Sequence, residues 1–214
     1  AIVGGRKVST KLNILTHLLD KVDILVVGGG IANTFLAAKG YPIGDSLYEE
    51  DLIPVARALS EKADKLNKKI VLPVDVIVAA SLEQEKGNIK LCEEVKAGDK
   101  IFDIGPESQK ILTRMIIEAK TLLWNGPIGV FEVLAFAQGT ESIAKAVAQS
   151  HAFSVAGGGD TLAALAQFHS EEAISDLSTG GGAFLEALEG KVLPAVAALY
   201  GHAQNNQNNK VMVE

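Results

Sequence analysis

Runs of glycine recur directly after short apolar segments of the chain. They are Gly4-Gly5, Gly28-Gly29-Gly30, Gly157-Gly158-Gly159 and Gly180-Gly181-Gly182. A glycine leaves its main-chain N–H open to a phosphate oxygen, because no Cβ stands in the way. A helix that starts after such a turn adds a partial positive charge. Each run taken alone would simply make a tight turn, but four such runs predict a rim that binds phosphate.

Two lysines and one aspartate place charge beside these turns. Lys7 and Lys11 flank the predicted start of the first helix and, four residues apart, are expected on one face. Lysines there oppose the helix dipole, so a bound anion would relieve the conflict; the alternative is two solvated surface lysines. Asp160 follows the third glycine run. It is expected either to cap the next helix or to hold Mg²⁺ beside phosphates.

A stiff loop of further polar groups follows an apolar segment that ends in Trp124. The loop reads Asn125-Gly126-Pro127-Ile128-Gly129-Val130-Phe131-Glu132. Its Asn125 can donate a hydrogen bond to a phosphate oxygen, and Glu132 can accept hydrogen bonds from two ribose hydroxyls. Pro127 and the glycines also suit a turn with a purely structural role.

Several common site types have no support in the sequence. There is no G-x-x-x-x-G-K-[ST] motif, and neither glycine triplet extends to G-x-G-x-x-G, because the sixth residues are Asn33 and Leu162. The histidines are scattered without metal-ligand spacing, and the single cysteine, Cys92, has no partner motif. No serine nucleophile elbow or paired-carboxylate site is recognisable.

The composition is that of a globular, acidic chain. Of 214 residues, 48% are hydrophobic and 21% are charged, with a net charge of −6. This charge argues against a nucleic-acid partner, and the apolar runs are too short to span a membrane. A single cysteine fits a reducing, cytoplasmic setting. The opening Ala1-Ile2-Val3 resembles a core strand, which suggests a piece of a longer protein.

Apolar strand-like runs alternate with segments of helical period. Strands are predicted at 2–3, 24–27, 69–73, 100–104, 121–124, 152–155 and 174–178, and an edge element at 86–92. Helices are predicted at about 9–19, 31–38, 51–67, from 106, 141–149, 161–168 and 183–188. This alternation predicts an α/β fold: a three-layer (αβα), doubly wound, mostly parallel sheet, Rossmann-like. Residues 1–200 are expected to form one nucleotide-binding domain, and 201–214 a frayed, polar, low-complexity tail.

In their order along nearly the whole chain, the motifs resemble phosphoglycerate kinase. The resemblance covers the C-terminal, nucleotide-binding half of that family; the N-terminal half, which carries the basic patch for 3-phosphoglycerate, lies outside these residues. The motifs are Gly4-Gly5-x-Lys7-Val8-Ser9-x-Lys11, Gly28-Gly29-Gly30-Ile31-Ala32-Asn33-Thr34-Phe35, Leu72-Pro73-Val74-Asp75, Asp103-Ile104-Gly105-Pro106-Glu107-Ser108, Trp124 to Glu132, Gly157-Gly158-Gly159-Asp160-Thr161 and Ser178-Thr179-Gly180-Gly181-Gly182-Ala183.

The resemblance implies reversible phosphoryl transfer in glycolysis, from 1,3-bisphosphoglycerate to MgADP, giving 3-phosphoglycerate and MgATP. It implies that Lys7 stabilises the moving phosphoryl group, that a helix starting at Gly181 and Gly182 points toward it, and that Asp160 places Mg²⁺. Nucleotide contacts are implied for the remaining site residues: Gly4, Gly5, Lys11, Gly28, Gly29, Asn125, Pro127, Glu132, Gly158, Gly159 and Thr161. Of these, Gly28 and Gly29 are expected to form part of a flat adenine slot.

Three positions depart from the family pattern. Arg6 replaces a small residue, where it either adds positive charge to the phosphate site or blocks it; Ile101 replaces a glycine at the adenine pocket, and Asp176 replaces a histidine. A monomer that binds nucleotide but turns over poorly alone is expected, since the family needs both lobes to close. A non-catalytic truncated or engineered lobe and a dinucleotide-binding oxidoreductase domain remain as alternatives.

Overall fold

The computed structural model describes residues 1–200, so the predicted tail at 201–214 lies outside the described residues. Its main sheet has six strands in the order β3-β2-β1-β7-β8-β9, and every neighbouring pair is parallel. The strands are β1 (Ile2–Gly5), β2 (Ile24–Gly28), β3 (Lys69–Val71), β7 (Thr121–Asn125), β8 (Phe153–Gly157) and β9 (Asp176–Ser178). The predicted fold class is confirmed.

Successive residues of the central strands point to opposite faces, which is why the sheet carries two cores. Ile2 and Val26 belong to one core, and Val3 and Val27 belong to the other. The first core packs α4 (Pro106–Glu118), α5 (Gln138–Gln149) and α6 (Gly159–Gln167) against the sheet. The second packs α1 (Leu12–Lys21), α2 (Gly29–Ala38), α3 (Ile53–Lys65) and α7 (Gly181–Leu188). Residues 194–200 are also helical.

A second, antiparallel sheet has the order β5-β4-β6 and joins neither edge of the first. Its strands are β4 (Asp75–Ala79), β5 (Asn88–Leu91) and β6 (Lys100–Ile104). Sequence analysis predicted strands near β5 and β6 but no strand at β4. The five β4 residues are all buried and carry no apolar–polar alternation, so nothing but a short apolar run marked them.

The helix boundaries correct one argument about the lysines. The first helix was predicted from about residue 9, but α1 begins at Leu12, and Lys11 is only its N-cap. Lys7 therefore precedes the helix by five residues, and the prediction that Lys7 and Lys11 share a helix face is wrong. The chain makes a turn here instead, in which the N–H of Lys11 donates to the carbonyl of Val8.

Candidate functional site

The carboxyl ends of the parallel strands meet at one rim, as predicted from the glycine runs. β1 ends at Gly5, β2 at Gly28, β7 at Asn125 and β8 at Gly157. A cavity of about 860 Å³ lies between this rim and the antiparallel sheet. Its walls come from the rim glycines, from β6, from the loop at 45–48 and from residues 126–133, which we call the 126–133 loop.

Five of the predicted site residues line the cavity: Gly5, Gly29, Pro127, Glu132 and Asp160. At the rim, the backbones of Gly5 and Gly29 form a parallel bridge. Gly29 has a φ of +64°, a conformation that favours glycine. These residues place half-buried glycine main chain, a proline ring and two carboxylates around one space.

Gly4 and Gly28 are packed beneath the 126–133 loop and do not line the cavity. A Cβ on Gly4 would lie 1.8 Å from the carbonyl oxygen of Pro127, and one on Gly28 would lie 2.4 Å from Cδ1 of Ile128. The N–H of Gly29 donates to the carbonyl of Ile128 at 2.8 Å. Both glycines therefore allow the loop to lie directly on the ends of β1 and β2. Their proposed direct contact with a nucleotide has no support in this geometry.

Lys11 is held by protein oxygens rather than pointing freely into the cavity. Its Nζ donates to the carbonyl of Gly4 at 2.6 Å, to the carbonyl of Asn125 at 3.1 Å and to Oδ1 of Asn125 at 2.6 Å. Burial lowers the pKa of this ammonium to about 8, an effect partly opposed by the negative charge of Asp160. In this arrangement Lys11 fastens the ends of β1 and β7 to each other.

Lys7 is exposed on the turn before α1 and does not line the cavity. Burial acts to raise the pKa of Glu49, but hydrogen bonds from Ser9 and, as a smaller effect, the charge of Lys7 lower it overall. Glu49 itself accepts hydrogen bonds from the N–H and the hydroxyl of Ser9. Lys7 is thus a solvated cation close to the rim rather than part of its internal network.

Asn125 and Thr161 form the internal network that joins β7, β8 and α6. The side-chain amide of Asn125 donates to the carbonyl of Gly157 at 2.8 Å. The hydroxyl of Thr161 also donates to that carbonyl, at 3.0 Å, and accepts a hydrogen bond from the N–H of Gly126 at 2.7 Å. Both side chains are buried, so their polar groups act here on the protein itself.

Asp160 lies in the first turn of α6, which corrects one of its two predicted roles. The N-cap of α6 is Gly158, with a φ of +99°, and no side chain caps this helix. Asp160 is exposed and lines the cavity. The carboxylate is therefore available to a ligand, and the predicted N-cap is wrong. Gly159 beside it is exposed, with open space where a Cβ would be.

Gly181 and Gly182 begin α7, as predicted from the glycine triplet. Both are exposed, and neither lines the cavity. Ile101 and Arg6, two of the positions that depart from the family pattern, do line it. Asp176, the third, is exposed at the start of β9, away from the cavity lining.

Carboxylates outnumber cations around the cavity. Among the residues that line it, Arg6 and Lys100 are basic, and Asp45, Asp103, Glu132 and Asp160 are acidic. Sequence analysis placed Arg6 at the phosphate site but missed Asp45, Lys100 and the role of Asp103 in this wall. Of these three, only Asp103 had a signal, as a charged residue inside the apolar run of β6.

No helix at 1–200 is long and apolar enough to cross a membrane. Over the same residues, no group of three or more histidine, cysteine or acidic side chains is arranged to hold a metal ion. Cys92 is buried, and burial raises the pKa of its thiol to about 12.

Comparison with known proteins places the chain in one family. The family model for phosphoglycerate kinase matches residues 1–191. The phosphoglycerate kinase of Francisella tularensis subsp. tularensis is 56% identical over 200 residues, which are 93% of this chain and 51% of that protein. The phosphoglycerate kinase of Coxiella burnetii is 53% identical over 205 residues, 95% of this chain and 52% of that protein.

Solved structures agree. The structure of phosphoglycerate kinase from Coxiella burnetii aligns with a TM-score of 0.92 at 52% identity, over 94% of this chain and 52% of that one. The enzyme from Pyrococcus horikoshii OT3 aligns with a TM-score of 0.78 at 30% identity, over 93% and 51%. The chain spans about half the length of the curated relatives it matches. With the family model covering most of its residues, this chain belongs to the phosphoglycerate kinase family.

Proposed function

We propose that this chain binds MgADP and MgATP and is the nucleotide-binding lobe for the reversible transfer of a phosphoryl group between 1,3-bisphosphoglycerate and ADP. The observation that carries the proposal is the cavity at the glycine rim, in a chain that belongs to this family. Its volume of about 860 Å³ is within the range of small-molecule sites, which are roughly 300–1,000 Å³.

In this reaction the protein has to align the two substrates and offset their negative charge, and none of its own groups has to form a covalent bond. The bond from phosphorus to the acyl oxygen of 1,3-bisphosphoglycerate breaks, 3-phosphoglycerate leaves as a carboxylate, and a terminal oxygen of ADP bonds to the phosphorus. Neither a proton nor a redox partner is required. In such transfers, catalysis comes mainly from alignment and from compensating the charge on the phosphoryl oxygens.

Within this chain, we assign the contact with the transferring group to Lys7, because it is an exposed cation close to the rim. Gly5 and Gly29 offer main chain in the cavity, and Pro127 and Glu132 form the wall expected to face the sugar. The exposed starts of α6 and α7, at Gly159 and at Gly181, provide further N–H groups. The ammonium of Lys11 can donate to a phosphate only if the phosphate replaces one of its present hydrogen-bond acceptors, the oxygens of Gly4 and Asn125.

The acidic balance of the cavity favours the metal complex of the nucleotide over the free polyphosphate. Mg²⁺ usually keeps several waters and takes one or two carboxylates plus substrate phosphates. Asp160 is an exposed carboxylate directly after the glycine run that ends β8, which fits that pattern, and we assign the contact with Mg²⁺ to it. Bound with the nucleotide, the ion would offset negative charge on the phosphates.

Calorimetry with MgADP tests the proposal directly. We expect saturable binding of one nucleotide per chain, and weaker binding when EDTA removes the metal. The variant Asp160→Asn should lose most of this dependence on Mg²⁺. Lys110→Met is a control on α4, because Lys110 is exposed and lies outside the cavity. Absence of MgADP binding at millimolar concentration would contradict the proposal.

The same experiment separates the alternatives. A dinucleotide-binding oxidoreductase domain would prefer NADH to ADP, and a non-catalytic lobe would bind neither. The single tryptophan, Trp124, reports on the site, since its Nε1 donates to the carbonyl of Gly126 at 2.9 Å, where the 126–133 loop begins.

A further inference from the structure

Asp103 is a buried carboxylate in the wall of the cavity. It lies on β6 and is only 2% exposed, although it is one of the residues that line the cavity. Its Oδ2 accepts a hydrogen bond from the N–H of Gly139 at 2.7 Å, and its Oδ1 accepts one from the N–H of Ile104 at 2.9 Å. Asp103 is therefore fixed from two directions, by its own strand and by the first turn of α5.

The carboxylate also lies against the 126–133 loop. A Cβ on Gly129 would be 2.2 Å from Oδ1 of Asp103, and one on Gly139 would be 2.1 Å from the same oxygen. The side chain thus fills a cradle whose sides are the backbones of Gly129 and Gly139. This cradle joins the antiparallel sheet, the loop and α5 at one point.

Two neighbouring contacts hold the loop in the same place. The N–H of Val130 donates to the carbonyl of Phe102 on β6 at 2.9 Å. The hydroxyl of Thr140, in the first turn of α5, accepts hydrogen bonds from the N–H groups of Ile128 and Gly129, both at 3.2 Å. Thr140 is fully buried and does not line the cavity, so it supports the loop from behind.

We propose that Asp103 is a positioning residue that holds the 126–133 loop against β6 and α5 and thereby sets the width of the cleft for the nucleoside part of the ligand. The loop and β6 supply the apolar walls of that cleft, including Ile101, Ile128 and Val130. A planar ring binds well only between walls at a fixed separation, so a loosened loop costs affinity. This inference rests on the proposed function.

Asp75 provides a matched control for a substitution of Asp103. Asp75 on β4 is also buried, at 4% exposure, and accepts hydrogen bonds from the N–H groups of Glu107 and Ser108 in the first turn of α4. It therefore does for α4 what Asp103 does for α5, but it does not line the cavity. Asp75→Asn and Asp103→Asn make the same chemical change in two equivalent structural positions.

The test is the affinity for MgADP and for adenosine, measured by calorimetry and by Trp124 emission. We expect Asp103→Asn to lower the affinity for both ligands at least ten-fold and by similar factors, because both ligands contain the nucleoside whose contacts are lost. Asp75→Asn should change either affinity less than two-fold. Thr140→Val removes the hydrogen bonds that the loop donates to Thr140 and should lower the affinity for both ligands about three-fold. This variant provides the test if Asp103→Asn does not fold.

The outcomes separate this inference from the proposed function. If the unchanged chain binds no MgADP, the proposed function fails and the inference fails with it. If that chain binds MgADP, but Asp103→Asn and Thr140→Val match Asp75→Asn, only the positioning role is overturned. A loss confined to MgADP, with adenosine binding unchanged, would place the defect at the phosphates and would overturn it as well.

Discussion

Burial shifts the pKa values of Lys11 and Asp103 so that the uncharged form of each side chain is favoured, because a buried charge is no longer solvated by water. Burial lowers the pKa of Lys11 to about 8 and raises that of Asp103 to about 7. In Asp103 the hydrogen bonds from Gly139 and Ile104 oppose this rise only in part. Lys11 joins the ends of β1 and β7, and Asp103 joins β6 to α5 and the 126–133 loop, so the charge of each group has a stability cost that depends on pH.

For Asp103 the sign of that dependence is definite. The folded chain binds a proton more tightly than the unfolded chain, so its stabilising contribution is complete below about pH 4 and is lost as the pH rises through about 7. We expect Asp103→Asn to remove this pH dependence, which amounts to at most roughly 3 kcal/mol between pH 5 and pH 8. Urea unfolding of both proteins at pH 5 and pH 8 measures it. Parallel pH curves for the two proteins would show that Asp103 does not titrate in this range.

The contribution of Lys11 to the free energy of unfolding changes with pH in the opposite direction. Its pKa is lower in the folded chain, so the penalty of its buried charge is present below about pH 8 and is relieved as the pH rises toward 10.5. Lys11→Met would also leave the oxygens of Gly4 and Asn125 without their donor, and we expect a loss of about 3 kcal/mol at pH 7.

Lys21 provides the control for that substitution, because it lies on the same helix and is exposed. Lys21→Met should cost no more than about 0.5 kcal/mol. Denaturant unfolding at pH 7 and pH 10 compares the two variants. If Lys11→Met unfolds as Lys21→Met does, then the three hydrogen bonds of Lys11 do not hold the ends of β1 and β7 together.

At the scale of the elements, aspartates of the antiparallel sheet cap two helices that pack against the parallel sheet. Neither α4 nor α5 has a capping side chain at its own N-cap, where Gly105 and Ala137 stand. Asp75 and Asp103 accept hydrogen bonds from the first turns instead. Since carboxylates are favoured at helix N-termini, the two caps attach the antiparallel sheet to one face of the parallel sheet's helix layer.

This attachment shows what the sequence could and could not predict. The parallel strands could be predicted because they are short apolar runs, and β1, β2 and β8 also end in glycine, a pattern within each segment. The strand β4 and the roles of Asp75 and Asp103 depend on contacts between residues about 30 positions apart, such as Asp75 with Ser108, which no local pattern records. The same limit explains why Lys11 and Asn125 were expected to face a ligand, although they bind each other.

The fit between the 126–133 loop and the strand ends predicts a steric effect. In Gly4→Ala the new methyl group would lie 1.8 Å from the carbonyl oxygen of Pro127, so the loop must move. We expect a loss of stability of about 3 kcal/mol and weaker MgADP binding. Gly180→Ala is the matched control, because its methyl group would have no neighbour closer than 3.6 Å.

Thermal unfolding with and without MgADP measures both variants of this pair. Gly180→Ala should unfold within about 0.5 kcal/mol of the unchanged chain. A Gly4→Ala chain of unchanged stability would mean that the loop does not rest on β1 in solution. The comparison thus tests the packing that closes the floor of the cavity.

At the scale of the whole molecule, the reaction proposed above has two phosphorylated substrates, and the charges of the cavity bear on whether the described residues could hold both. Among the residues that line the cavity, the only lysine and arginine are Arg6 and Lys100, beside four acidic residues. The described part of the chain therefore presents no strongly basic surface in this cavity for a second phosphorylated substrate. The curated relatives are about twice as long as the part they share with this chain.

We accordingly expect these 214 residues to bind MgADP with little turnover. A transfer between two phosphorylated substrates needs both held in line and shielded from water, which one lobe alone does not do. A coupled assay of ATP formation from 1,3-bisphosphoglycerate, run beside the full-length Coxiella burnetii enzyme, measures the difference. We expect the chain to be slower by a factor of about 10³ or more, since alignment alone is worth that much. Turnover equal to that of the full-length enzyme would show that the site for 1,3-bisphosphoglycerate also lies within these residues, and the assignment of a nucleotide-binding lobe alone would then be wrong.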